Sequence, residues 1–169
     1  MNEPAVQEGS LIPAMTDDQE SKVKALAAKL KELPQVRLET IHTLHDGVYT
    51  RTVLTPAGVM GAGAKIKIPT TLIVSGDATA IIGDETHRIT GYHVFTAMAP
   101  RQQAFFAHSD TWVTMIFKTS ALTVEEAEAE FTDETDQLMS RHPDAINTVL
   151  QGALICQEPL QQRLFLQPR

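Results

Sequence analysis

The chain has 169 residues, 43% hydrophobic and 21% charged, with a formal net charge of −7. That length carries one domain with a real core and is short for two. The charge speaks against nonspecific nucleic-acid binding, and no apolar run approaches the roughly 20 residues of a membrane span.

Residues 1–15 hold Pro4, Gly9, Ser10 and Pro13 with little periodicity and read as a flexible arm without the basic start or apolar block of a signal peptide. "TDDQ" supplies a capping box, Thr16 with Gln19, and opens an amphipathic helix over 16–34 that Pro34 ends. Its stripe of Val23, Leu26, Leu30 and Leu33 is narrow and needs a surface to cover it, either the chain's own barrel or a neighbouring subunit.

From residue 35 to 119 short β-branched and aromatic stretches alternate with turn signals. "VRLETIHTLHDGVYTRTVL" predicts a hairpin around Asp46-Gly47. "TPAG" is a turn and "AKIKI" alternates up to Pro69. "TLIVSGDATAIIGDETHRI" predicts strands separated at Ser75-Gly76-Asp77 and at Gly83-Asp84. "HVFTAMAP", "QQAFFA" and "TWVTMIFKT" complete the set. Many short strands with Gly and Asp turns and no helices between them predict a mainly β fold, an antiparallel barrel or jelly roll.

Residues 120–169 read as an acidic helical extension. "TVEEAEAEF" opens with a second capping box, Thr123 with Glu126, and a further helix is predicted from Pro143. Seven acids and no Lys or Arg lie between Thr119 and Ser140. Glu125, Glu126 and Glu128 are thus either a solvated helix face or a docking site for a basic partner. Cys156, the single cysteine, has no basic neighbours to activate it and suits a reducing compartment, so the chain is expected to be cytoplasmic at synthesis.

The runs "HTLHDGVYTRTVLTPAGVMGAGAKIKIPTTLIVSGDATAI", "MAPRQQAFFAHSDTWVTMIFKT" and "TVEEAEAEFTDETDQLMSR" resemble the small cupin-like proteins of phages and prophages, over roughly residues 40 to 141. The resemblance implies a cupin-type barrel whose biological role is mostly unassigned; with the arm, helix and acidic tail added to the barrel, virion association is an expectation. In metal-binding cupins one strand carries two histidines one residue apart, then a further ligand. The matching positions here look like Lys65, Lys67 and Thr71. A protonated lysine has no lone pair for a metal, so no metal and no cofactor are expected. Alternation allows the lysines to face solvent with Ala64, Ile66 and Ile68 inward, or to be buried and paired. Of the second metal motif Pro100 remains, without the glycine and histidine that should follow.

Six histidines are scattered. His42 and His45, three apart, face opposite sides of a strand. His42, His93 and His108 could converge in a barrel, with Arg101 as an anion binder and Asp110 beside them. The histidines and Arg101 are more readily surface or hydrogen-bonded structural residues, and nothing in their spacing demands a site. His108-Ser109-Asp110 are sequence neighbours, and catalytic triads are assembled from separated segments. "GAG" at 61–63 lacks the lysine-serine and helix of a phosphate loop.

Two readings follow. The first is a non-enzymatic, oligomeric accessory component of a phage or prophage. It would act on itself and on other virion proteins through the helix stripe and the acidic segment, with neither nucleic acid nor membrane as partner. The second is a metal-free or degenerate-metal enzyme or small-molecule sensor that uses the barrel interior, with His42, His93, Arg101, His108 and Asp110 as its ligand-binding residues.

Overall fold

A computed structural model describes residues 11–82 and 84–150. Its elements in chain order are β1 (Leu11–Ile12), α1 (Asp17–Lys31), β2 (Glu39–His45), β3 (Val48–Thr55), β4 (Met60–Ala62), β5 (Thr70–Ile82), β6 (Glu85–Ala97), β7 (Ala104–Ala107), β8 (Thr111–Lys118), α2 (Val124–Phe131) and β9 (Ile146–Leu150). Two 3-10 turns, Thr135–Gln137 and Met139–Arg141, join α2 to β9.

The hairpin at Asp46-Gly47 forms as the sequence predicts. Both residues take positive φ, 45° and 73°, the geometry of a two-residue turn whose twist matches its strands. Such a turn fixes register: His45 pairs with Val48, so His42 pairs with Arg51 and Leu44 with Tyr49. The strand path β1-β6-β5-β8-β3-β2-β9 makes one curved sheet, and the far half of β5 turns away to pair with β7, which pairs with β4.

The predicted break at Ser75-Gly76-Asp77 does not occur. β5 runs unbroken through it and stays paired with β6 along its whole length. Gly76 is the crossing point: Ser75 still pairs with Trp112 of β8, while Ala78 already pairs with Ala107 of β7. At φ +146° a Cβ on Gly76 would lie 2.5 Å from Thr111 Oγ1 and 2.8 Å from the Asp110 carbonyl, so only glycine lets the strand pass so close.

Two edge pairings are parallel, β1 with β6 and β2 with β9, so the sheet is mixed where a wholly antiparallel one was expected. The helix predicted from Pro143 is β9 over 146–150. Ile146, Thr148 and Val149 are β-branched, and the open edge of β2 offers a ladder that an isolated short helix cannot match. The rest of the helical reading of the C-terminus, and Cys156, lie outside the described residues.

Both capping boxes form. α1 lies against the chain's own barrel, next to β4, with Val23 and Ala27 buried. Lys65 and Lys67 face outward while Ala64, Ile66 and Ile68 pack on the core. Each lysine meets an appended segment: Lys65 Nζ lies 2.8 Å from Glu20 of α1, and Lys67 Nζ pairs with Asp133 beyond α2. They pin the N-terminal helix and the acidic segment to the barrel.

Register sorts the curved sheet into two faces. Inward stand Thr40 and His42 of β2, Tyr49 and Arg51 of β3, Met115 and Phe117 of β8, and Leu72 and Val74 of β5, with Phe131, Ala127 and Leu138 closing over them. The outer face holds three rows across six strands. One carries Val94, Ile73 and Ile41. Another carries Tyr92, Trp112, Leu54 and Ile146. The third carries Ile116 and Leu150. Serine and threonines fill the other positions but one, Glu39, and Lys118 stands at the rim. Across the sheet, Thr52 and Thr114 share a 2.9 Å hydrogen bond.

Candidate functional site

The five residues of the ligand-binding reading are not brought together. His108 Nε2 bonds Thr79 Oγ1 at 2.8 Å on the surface. Asp110 Oδ1 accepts from the Ala57 amide at 2.9 Å and ties the "TPAG" turn. His93 stacks on Phe95 and bonds the Thr90 carbonyl at 3.0 Å. Arg101 is buried: its two terminal nitrogens donate to the carbonyls of Ile68 and Met98 and to Thr70 Oγ1. Burial pushes its pKa down to about 10, which leaves it charged at neutral pH as a structural brace between loops. Among the described residues no three His, Cys, Asp or Glu side chains form a group able to hold a metal.

Of the partner-binding residues, Val23 is covered by the chain's own barrel, Leu26 and Leu30 are half-buried and Leu33 is exposed. Glu126 caps α2, its carboxylate accepting from the Leu122 and Thr123 amides. Glu125 is exposed. Glu128 is not on a solvated face: it is 1% exposed, accepts from Ser140 Oγ at 2.6 Å, and forms an ion pair with Arg141. The basic residue that pairs with Glu128 lies one position beyond the stretch without Lys or Arg.

His42, of the five residues in the ligand-binding reading, lines a described cleft. It lies on the inner face where β2, β9 and α2 meet, beside a cleft of about 270 Å3 lined by His42, Glu125, Glu128, Ser140, Arg141 and Asn147 among others, with exposed Leu122 at its edge. A hydrogen-bond chain sets its tautomer. Asn147 Nδ2 donates to the Ser140 carbonyl at 2.7 Å, which turns Asn147 Oδ1 toward His42 Nε2 at 3.4 Å. Nε2 therefore carries the hydrogen, and Nδ1 accepts from the Tyr49 hydroxyl at 2.7 Å. Burial, and next the charge of Arg51, hold the His42 pKa below its ordinary value, so the ring is neutral.

Sequence reasoning passed over Arg51. Its neighbours in register are His42 and Met115. Its Nε is buried with no hydrogen-bond partner, and burial lowers its pKa. The signal was present: in "VYTRTV" the residues Tyr49, Arg51 and Val53 alternate with threonines, which puts a cation on the buried face. A second space of about 40 Å3 is lined almost wholly by apolar side chains, among them Ile12, Leu72, Val74, Phe95 and Phe105.

No protein-family model and no curated protein sequence matches the chain. Similar solved structures include a salicylate 1,2-dioxygenase from Pseudaminobacter salicylatoxidans (13% identity, TM-score 0.46, 69% of this chain and 35% of that one). Others are a cupin superfamily protein from Desulfitobacterium hafniense (15%, 0.41, 55% and 87%) and the cupin_2 domain of an XRE family transcriptional regulator from Enterobacter cloacae (12%, 0.36, 41% and 80%). The chain spans about a third of the dioxygenase's length. The fold is mainly β, a mixed sheet with helices α1 and α2 beside it. Among the described residues no helix is long and apolar enough to cross a membrane.

Proposed function

We propose that the chain is a non-enzymatic, self-associating protein that works by contact between chains, in the phage or prophage setting its sequence resemblance implies. The observation that carries this reading is the outer face of the sheet. Six strands at about 4.8 Å and three rows about 6.7 Å apart give a surface of roughly 29 by 20 Å. Two such faces remove about 1,200 Å² from water, the lower end of stable protein interfaces. Tyr92, Val94, Ile146 and Leu150 on it are 67, 47, 48 and 49% exposed.

The occupant this face suits is a second copy. The chain carries −7 overall, yet the face holds a single carboxylate, Glu39, so two copies meet there with little like-charge repulsion. Sheet on sheet at a small angle is a standard packing. Small β-branched threonines between the large side chains leave room for interdigitation.

Sedimentation velocity and native mass spectrometry test the reading. The wild type is expected to be dimeric or larger at micromolar concentration, and Ile73→Lys with Trp112→Glu to sediment as a folded monomer. A wild-type monomer at high concentration refutes the reading. For the phage setting, the expected result is co-sedimentation with particles; a protein that never accompanies them removes that part.

A further inference from the structure

We infer, resting on the self-association proposed above, that the second copy lies on the outer face with its strands running opposite to the first, so that Lys118 of each chain meets Asp110 of the other. A face that meets its own copy does so about a two-fold axis. One such axis brings like ends of the strands together, and the other brings opposite ends together. The charges on the face decide between them, because they are sorted by end. Lys118 is exposed at one rim, in register with Val48, which pairs with His45. Glu39 stands toward the opposite end, in the row of Trp112 and Leu54. Exposed Asp110 precedes β8 at that end, with Oδ1 accepting from the Ala57 amide. The remaining charges there cancel: Arg37 pairs with Asp144 at 3.1 Å, and Arg88 pairs with Asp77 where β5 turns away. Asp46 lies in the turn beyond the Lys118 rim. Among the described residues neither Lys118 nor Glu39 takes part in an ion pair.

Stacking like ends sets Lys118 beside its own copy and gathers both Asp110 and both Glu39 side chains at the other end. Stacking opposite ends centres the contact on the middle row, where Thr114 and Thr52 lie. Lys118, four residues past Thr114, then faces Asp110, four residues before it, once in each direction. The uncharged positions fit the same choice. Leu54 comes over Thr50 of the other copy and Glu39 over Thr43, large side chain on small. The threonine also offers the one carboxylate of the face a hydroxyl donor as water leaves, which a desolvated carboxylate requires. Charges at the rim of an interface act in this way, fixing register and orientation more than affinity.

The test joins sedimentation equilibrium of the full-length protein to a distance between spin labels. Lys118→Glu sets acid on acid twice per dimer and is expected to weaken association at least about threefold. Adding Asp110→Lys in the same chain is expected to restore it. For the distance, Val48 at the Lys118 rim, 41% exposed, is replaced by a spin-labelled cysteine in a Cys156→Ser chain. Opposite ends place the two labels about 29 Å apart, from about 14 Å of strand on each side of the centre and about 10 Å between the sheets; like ends place them about 11 Å apart. A label distance near 11 Å overturns the inference and leaves self-association standing. So does a Lys118→Glu chain that associates as wild type does, or a folded double variant that associates no better than Lys118→Glu. If Asp110→Lys prevents folding, the label distance decides. A wild type that is monomeric throughout overturns both the inference and the self-association beneath it.

Discussion

Replacing Arg141 by methionine keeps most of its side-chain volume and removes its charge. Glu128 then keeps one hydrogen bond, from Ser140 at 2.6 Å, and loses its ion pair while remaining 1% exposed. Removing one partner of a fully buried pair costs about 3–5 kcal/mol. Arg141 is 33% exposed, so water screens part of that interaction and about 2–3 kcal/mol is expected. For a chain of this size that lowers the melting point by roughly 4–12 °C. Glu128→Gln alone leaves Arg141 able to reach water and is expected to cost less, about 1–2 kcal/mol. The double variant should cost clearly less than the sum of the two, with a coupling of about 1–2 kcal/mol in a double-mutant cycle by urea denaturation. Additive effects, or single effects below about 0.5 kcal/mol, would show that the Glu128–Arg141 pair does not hold the acidic segment in place.

Two other expectations follow from the geometry. Gly76→Ala places a methyl 2.5 Å from Thr111 Oγ1 at a φ that disfavours side chains; it should destabilise by about 3 kcal/mol or more, and a midpoint in urea unchanged from wild type would refute the crossing-point account. The folded-state pKa of His42 lies below its ordinary 6.5 because of burial and then Arg51. Its contribution is therefore complete above pH 6.5 and is lost as pH falls from there toward the folded pKa, because the unfolded chain takes up the proton first. Wild type should lose stability between pH 7 and pH 5, His42→Gln should lose less, and equal slopes would mean His42 protonates freely in the native state.

Local rules determined much of this chain. The capping boxes of Thr16 and Thr123, the Asp46-Gly47 turn and the period-2 alternation of the strands each depend on residues a few positions apart, and each formed as written. The alternation in "AKIKI" allowed outward lysines but left their partners open, because Glu20 and Asp133 lie 45 and 66 positions away along the chain. The register through Asp46-Gly47 contained the pairing of His42 with Arg51, a juxtaposition that listing histidines could not reveal.

Only the tertiary structure decided the rest. A glycine flanked by serine and aspartate is locally a turn; here it is a strand residue because β6 pairs with the strand through it and β8 up to it, and Thr111, close behind it, requires that it be glycine. "INTVL" has no partner of its own and becomes a strand because β2 presents an open edge. Glu128 belongs by sequence to a run of acids, and becomes buried because Arg141 folds back over α2 to meet it. In each case the energy comes from a group distant in sequence, and local preferences of a few tenths to about 1 kcal/mol per residue yield to it.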